Sequence, residues 1–457
     1  MPPESKDLFT PVAPESKLHP SFQIITNQAG SEPARLMMNR VFREFPDKDG
    51  NFLQQFQTTG FDARTFELYL FAYLSAGNYA FNNDHTQPDF IVSSREGVTA
   101  AIEATTVNPS SGAPTWPYRM PVREVAQDEL RQKLDNELPI RLGSPLFSKL
   151  NKRYWELDQC KGIPLVFAIE AFHEEGSLFY TDTALGQDLY GLKHFPSWTE
   201  DGQLLVHTED LEHHVHGKKV IPSNFFGQPD AEYISAIIYT NSGTYSKFLR
   251  MGYQAGFHRG NLRITRTGHD HDPNPNSAAP LLINYDLDNP PLPETWAQGI
   301  MVFHNPNAKY PLPRDFFIDA ASSFLDQGRL ASDLPPLHPF MSLTGTVVLP
   351  DPPSMISSRP MIVTILKRDF AELAAHKSPW VEQIYQEREW FSDSERSVIG
   401  TVLLDLIDGD WSFVVLSHDE FGDFRPADFA VSLNSRNKAM RRLLTSMKRV
   451  IRELGAG

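Results

Sequence analysis

Two short runs decide most of what this chain can fold into: Ile163-Pro-Leu-Val-Phe-Ala-Ile169 and Tyr233-Ile-Ser-Ala-Ile-Ile-Tyr239 are apolar at nearly every position. A strand with one wet face alternates apolar and polar residues, whereas a strand covered on both faces reads as an unbroken apolar run. Both runs therefore belong inside a sheet with a layer on either side. Helical patterns supply the layers. Met38, Phe42 and Phe45 fall on one face of a helix over 32–45, and Phe66, Leu70 and Leu74 mark a second that Asp62 can cap and Gly77 can end. Val122, Ala126, Leu130, Leu134 and Leu138 predict a third, and Ser144-Pro145 opens a fourth whose apolar face is Leu146, Leu150 and Tyr154. The order helix, hairpin, helices, strand, strand predicts an α/β fold with a mixed central sheet flanked by helices.

At 457 residues the chain exceeds one ordinary domain. The prolines gather in connecting stretches such as Asn289-Pro-Pro-Leu-Pro293 and Leu349-Pro-Asp-Pro-Pro353, which predict long ordered loops. The reading divides the chain into a flexible N-terminal arm over 1–30, an α/β domain over 31–315, a Pro-rich connection over 316–355 and a smaller α+β domain over 356–457. In the last, 360–366, 400–407 and 411–416 read as strands, Asp408-Gly409 as a hairpin turn, and 435–454 as a closing helix. That helix carries Arg436, Lys438, Arg441, Arg442, Lys448, Arg449 and Arg452 against the single acid Glu453.

Charge and cysteine content narrow the function. A net charge of -15 counts against a protein that coats nucleic acid through general attraction, because phosphate binding depends on Lys and Arg. Any contact with nucleic acid must be local, and Arg441, Arg442, Lys448 and Arg449 are its candidates; docking of the helix on an acidic face of its own protein is the equal alternative. Cys160 is the only cysteine, so neither an internal disulfide nor a Cys-based zinc site can form within one chain. The start Met1-Pro-Pro-Glu-Ser-Lys-Asp7 lacks a signal-peptide pattern, and no stretch is long enough to cross a bilayer, so a soluble, cytoplasmic protein with no membrane partner is expected. A Gly-rich phosphate loop and a Gly-x-Ser-x-Gly elbow are both absent, which disfavours nucleotide-driven motors and serine hydrolases of that type.

The acids of the first third carry the chemistry. Pro88-Asp-Phe-Ile-Val92 and Val98-Thr-Ala-Ala-Ile-Glu-Ala-Thr-Thr-Val107 read as strands joined by the turn Ser93-Ser-Arg-Glu-Gly97, so pairing brings Asp89 and Glu103 near one another. Two carboxylates sharing a site repel unless a cation stands between them. Glu103 interrupts an apolar run, where a charge is expensive unless paired or coordinated; a salt bridge to a core arginine is its bland explanation. Glu67, on the preceding helix, can add a third oxygen ligand, although a solvated carboxylate is the ordinary reading of such a position.

The helix Phe66-Glu-Leu-Tyr-Leu70, then Gln87-Pro-Asp-Phe-Ile-Val92, then Ile102-Glu-Ala-Thr105 resemble the PD-(D/E)XK nuclease superfamily in order and context over roughly residues 60–170. The resemblance implies a restriction-endonuclease-like core in which Glu67, Asp89 and Glu103 hold magnesium or manganese for phosphodiester hydrolysis, with DNA favoured over RNA as substrate. One position departs from the motif. The lysine expected two residues after the second acid falls at Thr105. Lys149, and after it Lys152, on a nearby helical face are the candidates to replace it, although both also fit the wet side of an amphipathic helix. The rival is a catalytically degenerate protein on the same fold that binds nucleic acid or protein; a homodimer or protein partner stays open. His213, His214 and His216, and His269 and His271 with Asp270 and Asp272, have metal-ligand chemistry, but their polar surroundings and turn formers predict solvated loops, and His304-Asn-Pro-Asn-Ala308 predicts a turn.

Overall fold

The computed structural model describes residues 7–109, 131–174, 176–257, 262–274, 276–348, 388–392, 398–404, 411–418, 424–433 and 436–454. The chain divides into two units, Met1–Leu349 and Pro350–Gly457. The expected strand over 360–366 and the turn at Asp408-Gly409 lie outside the described residues, as does the part of the expected third helix that holds Val122, Ala126 and Leu130.

The first unit is built on an eight-stranded mixed sheet whose strands lie side by side in chain order: β1 (Ala80–Phe81), β2 (Phe90–Ser93), β3 (Thr99–Val107), β4 (Leu165–Ala171), β5 (Ala236–Thr240), β6 (Ile300–His304), β7 (Ala321–Asp326) and β8 (Arg329–Asp333). β3, β4 and β5 run parallel, as do β6 and β7, and the other neighbours are antiparallel. The two apolar runs form β4 and β5, each buried along its whole length in the middle of the sheet. Helices α1 (Pro20–Asn27), α2 (Glu32–Glu44), α3 (Phe52–Gln57) and α4 (Phe61–Ala76) precede the sheet, and α5 (Leu138–Leu150), α6 (Thr183–Tyr190) and α7 (Tyr245–Gln254) follow within it.

Alternation along the strands separates two cores. Phe90, Val92, Ala100, Ile102, Ala104, Val166 and Ala168 face the layer of α4, with Phe66, Leu70 and Leu74 in the same cluster. Ile91, Ala101, Leu165, Phe167 and Ile169 face the layer of α5 and α6, with Leu142, Leu146, Leu150, Leu185 and Leu189. α4 is buried on nearly every side, from Phe61 to Leu74, because α2 and α3 cover the face turned away from the sheet. Its tyrosines tie it to the far end of the unit: the Tyr69 hydroxyl donates to the Trp296 carbonyl (2.8 Å) and that of Tyr73 to the Ile318 carbonyl (2.9 Å).

Several local expectations change. The N-terminal stretch, expected to be a flexible arm, forms α1 and buries Leu8, Phe9, Phe22 and Ile25 in the α4 core. The stretch 316–355, expected as a connection, contributes β7, β8 and the strand Met341–Val348. Ser144-Pro145 opens no helix: α5 starts at Leu138 and runs through Pro145, its first turn preceded by the wider Lys133–Glu137 turn. Gly60 rather than Asp62 sits at the N-cap of α4, and Asp62 falls in its first turn, where an acid favours the helix dipole.

In the second unit β9 (Arg388–Ser392), β10 (Val398–Leu404), β11 (Trp411–His418) and β12 (Phe424–Leu433) form an antiparallel meander, and α8 (Arg436–Leu454) packs against it. Among the α8 residues whose side chains are described, Leu443, Ser446 and Val450 are buried, spaced by helical turns. Among the described residues no helix is long and apolar enough to cross a membrane.

Candidate functional site

The antiparallel ladder pairs Phe90 with Ile102 and Ile91 with Ala101, so one further step sets Asp89 opposite Glu103. There the backbone of β2 leaves the ladder and the Asp89 side chain takes over its last rung: Oδ2 accepts the Ala104 N–H at 2.7 Å. The carboxylate is thereby drawn toward the line of the sheet at the open end of β2, where groups from both layers can approach it.

Glu103 belongs to the α5 side. Its Oε1 accepts from the Lys149 ammonium at 2.5 Å and from the Tyr154 hydroxyl at 2.6 Å. Lys149 is in the last turn of α5, and Tyr154 is in the short turn that follows. Glu67 comes from α4, where its Oε2 accepts from Arg64 Nη1 at 2.5 Å, one turn back along the helix. The Lys48 ammonium donates to the Asp89 carbonyl at 3.2 Å.

The acids feel one another. Burial, then the charges of Glu103 and Glu67, push the Asp89 pKa up to about 8, against the pull of the Ala104 N–H and Lys149. Glu67 is raised by burial and by Glu103, while Arg64 and Lys149 oppose the rise. Burial and the hydrogen bond to Glu103 raise Tyr154 beyond the usual tyrosine range, so its hydroxyl stays a donor. Burial, with a smaller contribution from Glu103, pushes the Cys160 thiol up to about 11, which leaves it an inert neighbour.

Each carboxylate commits one oxygen to the protein. Among the described residues Glu67 Oε1, Asp89 Oδ1 and Glu103 Oε2 accept no hydrogen bond. An all-oxygen set with surplus negative charge has the donor chemistry of a hard divalent cation such as magnesium or manganese. The convergence is incomplete: no group of three or more His, Cys, Asp or Glu side chains among the described residues is placed to hold a metal ion.

The expected positive groups part company. Lys149 meets Glu103, whereas Lys152 lies beyond the end of α5, with its ammonium 5.9 Å from the centre of the Tyr154 ring, so the two lysines do not share a helical face. Thr105 is half-buried on β3. Of the two histidine stretches, the first is a strand and not a loop, although its His213 and His216 are exposed, whereas His271 lies exposed in a loop as expected. His213–His216 is a strand in which His214 is buried 3.4 Å from the buried Asp188, while Asp270 ends the strand Leu262–Asp270 and is buried. His304 ends β6, and Asn305 is buried, donating to the carbonyls of Ala231 and Ile234.

Arg64, Tyr154 and Lys48 are the site residues that sequence reasoning misses. Arg64 stands three positions before Glu67, a spacing that joins opposite charges on a helix and could have exposed it. Tyr154 was visible only as an apolar helix position, and Lys48, in a loop, carried no signal. Compared with protein-family models, with curated proteins and with solved structures, the chain gives no match.

Proposed function

We propose that the first unit is a restriction-endonuclease-like, PD-(D/E)XK-type nuclease core that hydrolyses phosphodiester bonds in DNA, with magnesium or manganese as cofactor. One observation carries the reading: the Lys149 ammonium reaches Glu103 at 2.5 Å, beside three carboxylates that each keep an uncommitted oxygen. Glu67, Asp89 and Glu103 would hold the cation, which supplies charge stabilisation and an acidified water when bound. Lys149 enters from α5, not from the strand, and so offers the positive charge that Thr105 cannot. In that place it orients the attacking water or neutralises a phosphate oxygen. Tyr154 fixes the Glu103 carboxylate through Oε1 and leaves Oε2 for the cation. The Asp89–Ala104 bond holds the second acid at the end of β2.

Two observations favour a second reading, a degenerate nuclease fold that binds nucleic acid or protein without cutting: Thr105 in the motif lysine's place and the incomplete convergence of the acids. A single set of measurements separates the two. The full chain is incubated with supercoiled and linear DNA and with RNA in magnesium, manganese or EDTA, and cation binding is followed by calorimetry. Metal-dependent cleavage that disappears in Asp89→Asn and Glu103→Gln supports the enzyme. Cation binding without cleavage supports the degenerate reading, and the absence of both overturns the site.

A further inference from the structure

The basic helix of the second unit divides its charges between two tasks. Arg449, itself exposed, reaches Asp428 on β12, with Nη2 2.6 Å from Oδ2, and the Ser446 hydroxyl donates to the same oxygen. That part of α8 docks on its own sheet, and the acid it meets is neutralised. Arg441 and Arg442, one to two turns earlier, are exposed and have no acid partner among the described residues. Both line a cavity of about 420 Å³ whose wall also includes Phe413, Asp428, Ser446 and Arg449.

We infer that this cavity binds the phosphate group of a nucleotide-sized ligand. Asp428 and Arg449 pair, so among the described residues that line the cavity Arg441 and Arg442 add two positive charges with no acid beside them, in a chain whose net charge is -15. Guanidinium forks match phosphate oxygens in pairs, which makes two unpaired arginines on one rim a better anion holder than scattered lysines. The volume falls within the roughly 300–1,000 Å³ of small-molecule sites, large enough for a base and sugar beyond the phosphate. Phe413, on β11, adds apolar contact at the base of the cavity. The inference is independent of cleavage by the first unit.

Fluorescence anisotropy of the full chain in EDTA tests it without turnover, using fluorescein-labelled single-stranded and duplex DNA across a salt series, with ATP, AMP and inorganic phosphate as competitors. Replacing Arg441 and Arg442 together with Gln is expected to weaken binding at least tenfold and to lower the salt slope by about 0.7 per lost contact on a single strand, or about 0.9 on a duplex. Arg452→Gln, an exposed charge of α8 outside the cavity wall, serves as the control and should change binding far less. The double Lys variant keeps the charge and should recover only part of the affinity. Displacement by ATP at millimolar concentration points to a free nucleotide as the source, and displacement by unlabelled strand alone points to nucleic acid; both support the cavity. Unchanged affinity and slope in a double Gln variant with parental melting temperature, or no binding of any probe by the parent, overturns it.

Discussion

The first unit buries two clusters of charge that are out of balance in opposite senses. Around Asp89, three carboxylates face Lys149 and Arg64, with Lys48 at the edge. Around Glu294, Lys247 and Arg250 from α7 and Arg266 from the strand Leu262–Asp270 share one paired carboxylate, with the buried Asp270 acting on Arg266 through its charge alone. The basic cluster is closed: Glu294 Oε1 accepts from Lys247 (2.8 Å) and Arg250 Nη2 (2.9 Å), and Oε2 from Arg250 Nε (2.8 Å). Its surplus shows as the buried Arg266 Nη2 without a partner. The acidic cluster keeps three acceptor oxygens unused at the end of a strand. Burial should raise Glu294, yet Arg250, Lys247 and Arg266 hold it well below the usual carboxylate range, whereas burial and like charges raise Asp89. A cluster whose carboxylate oxygens are all taken holds elements together, and one with acceptor oxygens to spare has capacity for a cation.

The sharpest way to break that contrast is to remove the hub of the closed cluster. Glu294→Gln leaves the buried Arg250 and Arg266 guanidiniums and the Lys247 amine without their carboxylate, a change expected to cost about 3–5 kcal/mol in chemical denaturation, since uncompensated buried charge is the expensive case. Asp89→Asn should behave oppositely in stability, because the amide oxygen still accepts the Ala104 N–H and the repulsion with Glu103 and Glu67 is relieved. Its melting temperature should not fall. Cleavage, by contrast, should drop by about 10³, or about 4 kcal/mol in the barrier, once one metal-holding oxygen set is neutral. A destabilised but fully active Asp89→Asn protein would reverse the assignment of the two clusters.

Lys149→Met comes next. It removes the positive group from Glu103 while keeping the aliphatic stem, so a roughly hundredfold loss of cleavage is expected if the ammonium works on water or phosphate. Lys152→Met is its comparison and should retain near-parental activity, because its ammonium has no contact with Glu103. Equal losses in the two variants would assign the effect to the general field of the helix end.

The closed cluster also makes a prediction about pH. Burial pushes the Lys247 pKa down to about 7 despite Glu294, with Arg250 and Arg266 adding to the fall. Between that value and about 10.5 the unfolded chain holds a proton on Lys247 that the folded chain has released, so this group makes stability rise with pH across the window, by at most about 1.4 kcal/mol per pH unit. Urea denaturation from pH 7 to 9.5 should show that rise in the parent and a flatter profile in Lys247→Met. Parallel profiles would mean that Glu294 keeps Lys247 charged throughout.

How much of this could be read from the sequence depends on how local each cause is. Glu103 stood out because a charge in an apolar strand has few innocent explanations, and its opposition to Asp89 followed from the hairpin alone. Lys149 came from helical spacing, but the turn that removes Lys152 from the same face depends on where α5 stops. Tyr154 shared the apolar pattern of a helix that ends before it. The closed cluster was invisible: Lys247 and Glu294 meet only because α7 returns beside the loop ahead of β6. The packing of Leu8, Phe9 and Phe22 was hidden for a related reason, since their apolar positions follow no period and bury only against α3 and its neighbours. β7 and β8 carry no long apolar run or strict alternation, so tertiary pairing rather than local pattern makes them strands.

Tyr154 offers the finest test of the acidic cluster. Its hydroxyl is one of two donors to Glu103 Oε1, and the raised pKa keeps it protonated over the working range of pH. In Tyr154→Phe the ring remains beside the two lysines, at 6.0 Å from Lys149 and 5.9 Å from Lys152, so packing is preserved and only the hydrogen bond is lost. A hydrogen bond to a charged group contributes about 1.5–3 kcal/mol, but Lys149 still holds the same oxygen, and the lower end of that range is expected. The loss should fall on kcat by about tenfold, with KM nearly unchanged, because Tyr154 orients an acid and touches no substrate. Cation affinity measured by calorimetry should weaken in parallel, since a carboxylate free to rotate presents Oε2 less often. A loss in KM alone would move Tyr154 into the substrate contact surface, and a kcat loss as deep as that of Lys149→Met would make it a catalytic group in its own right.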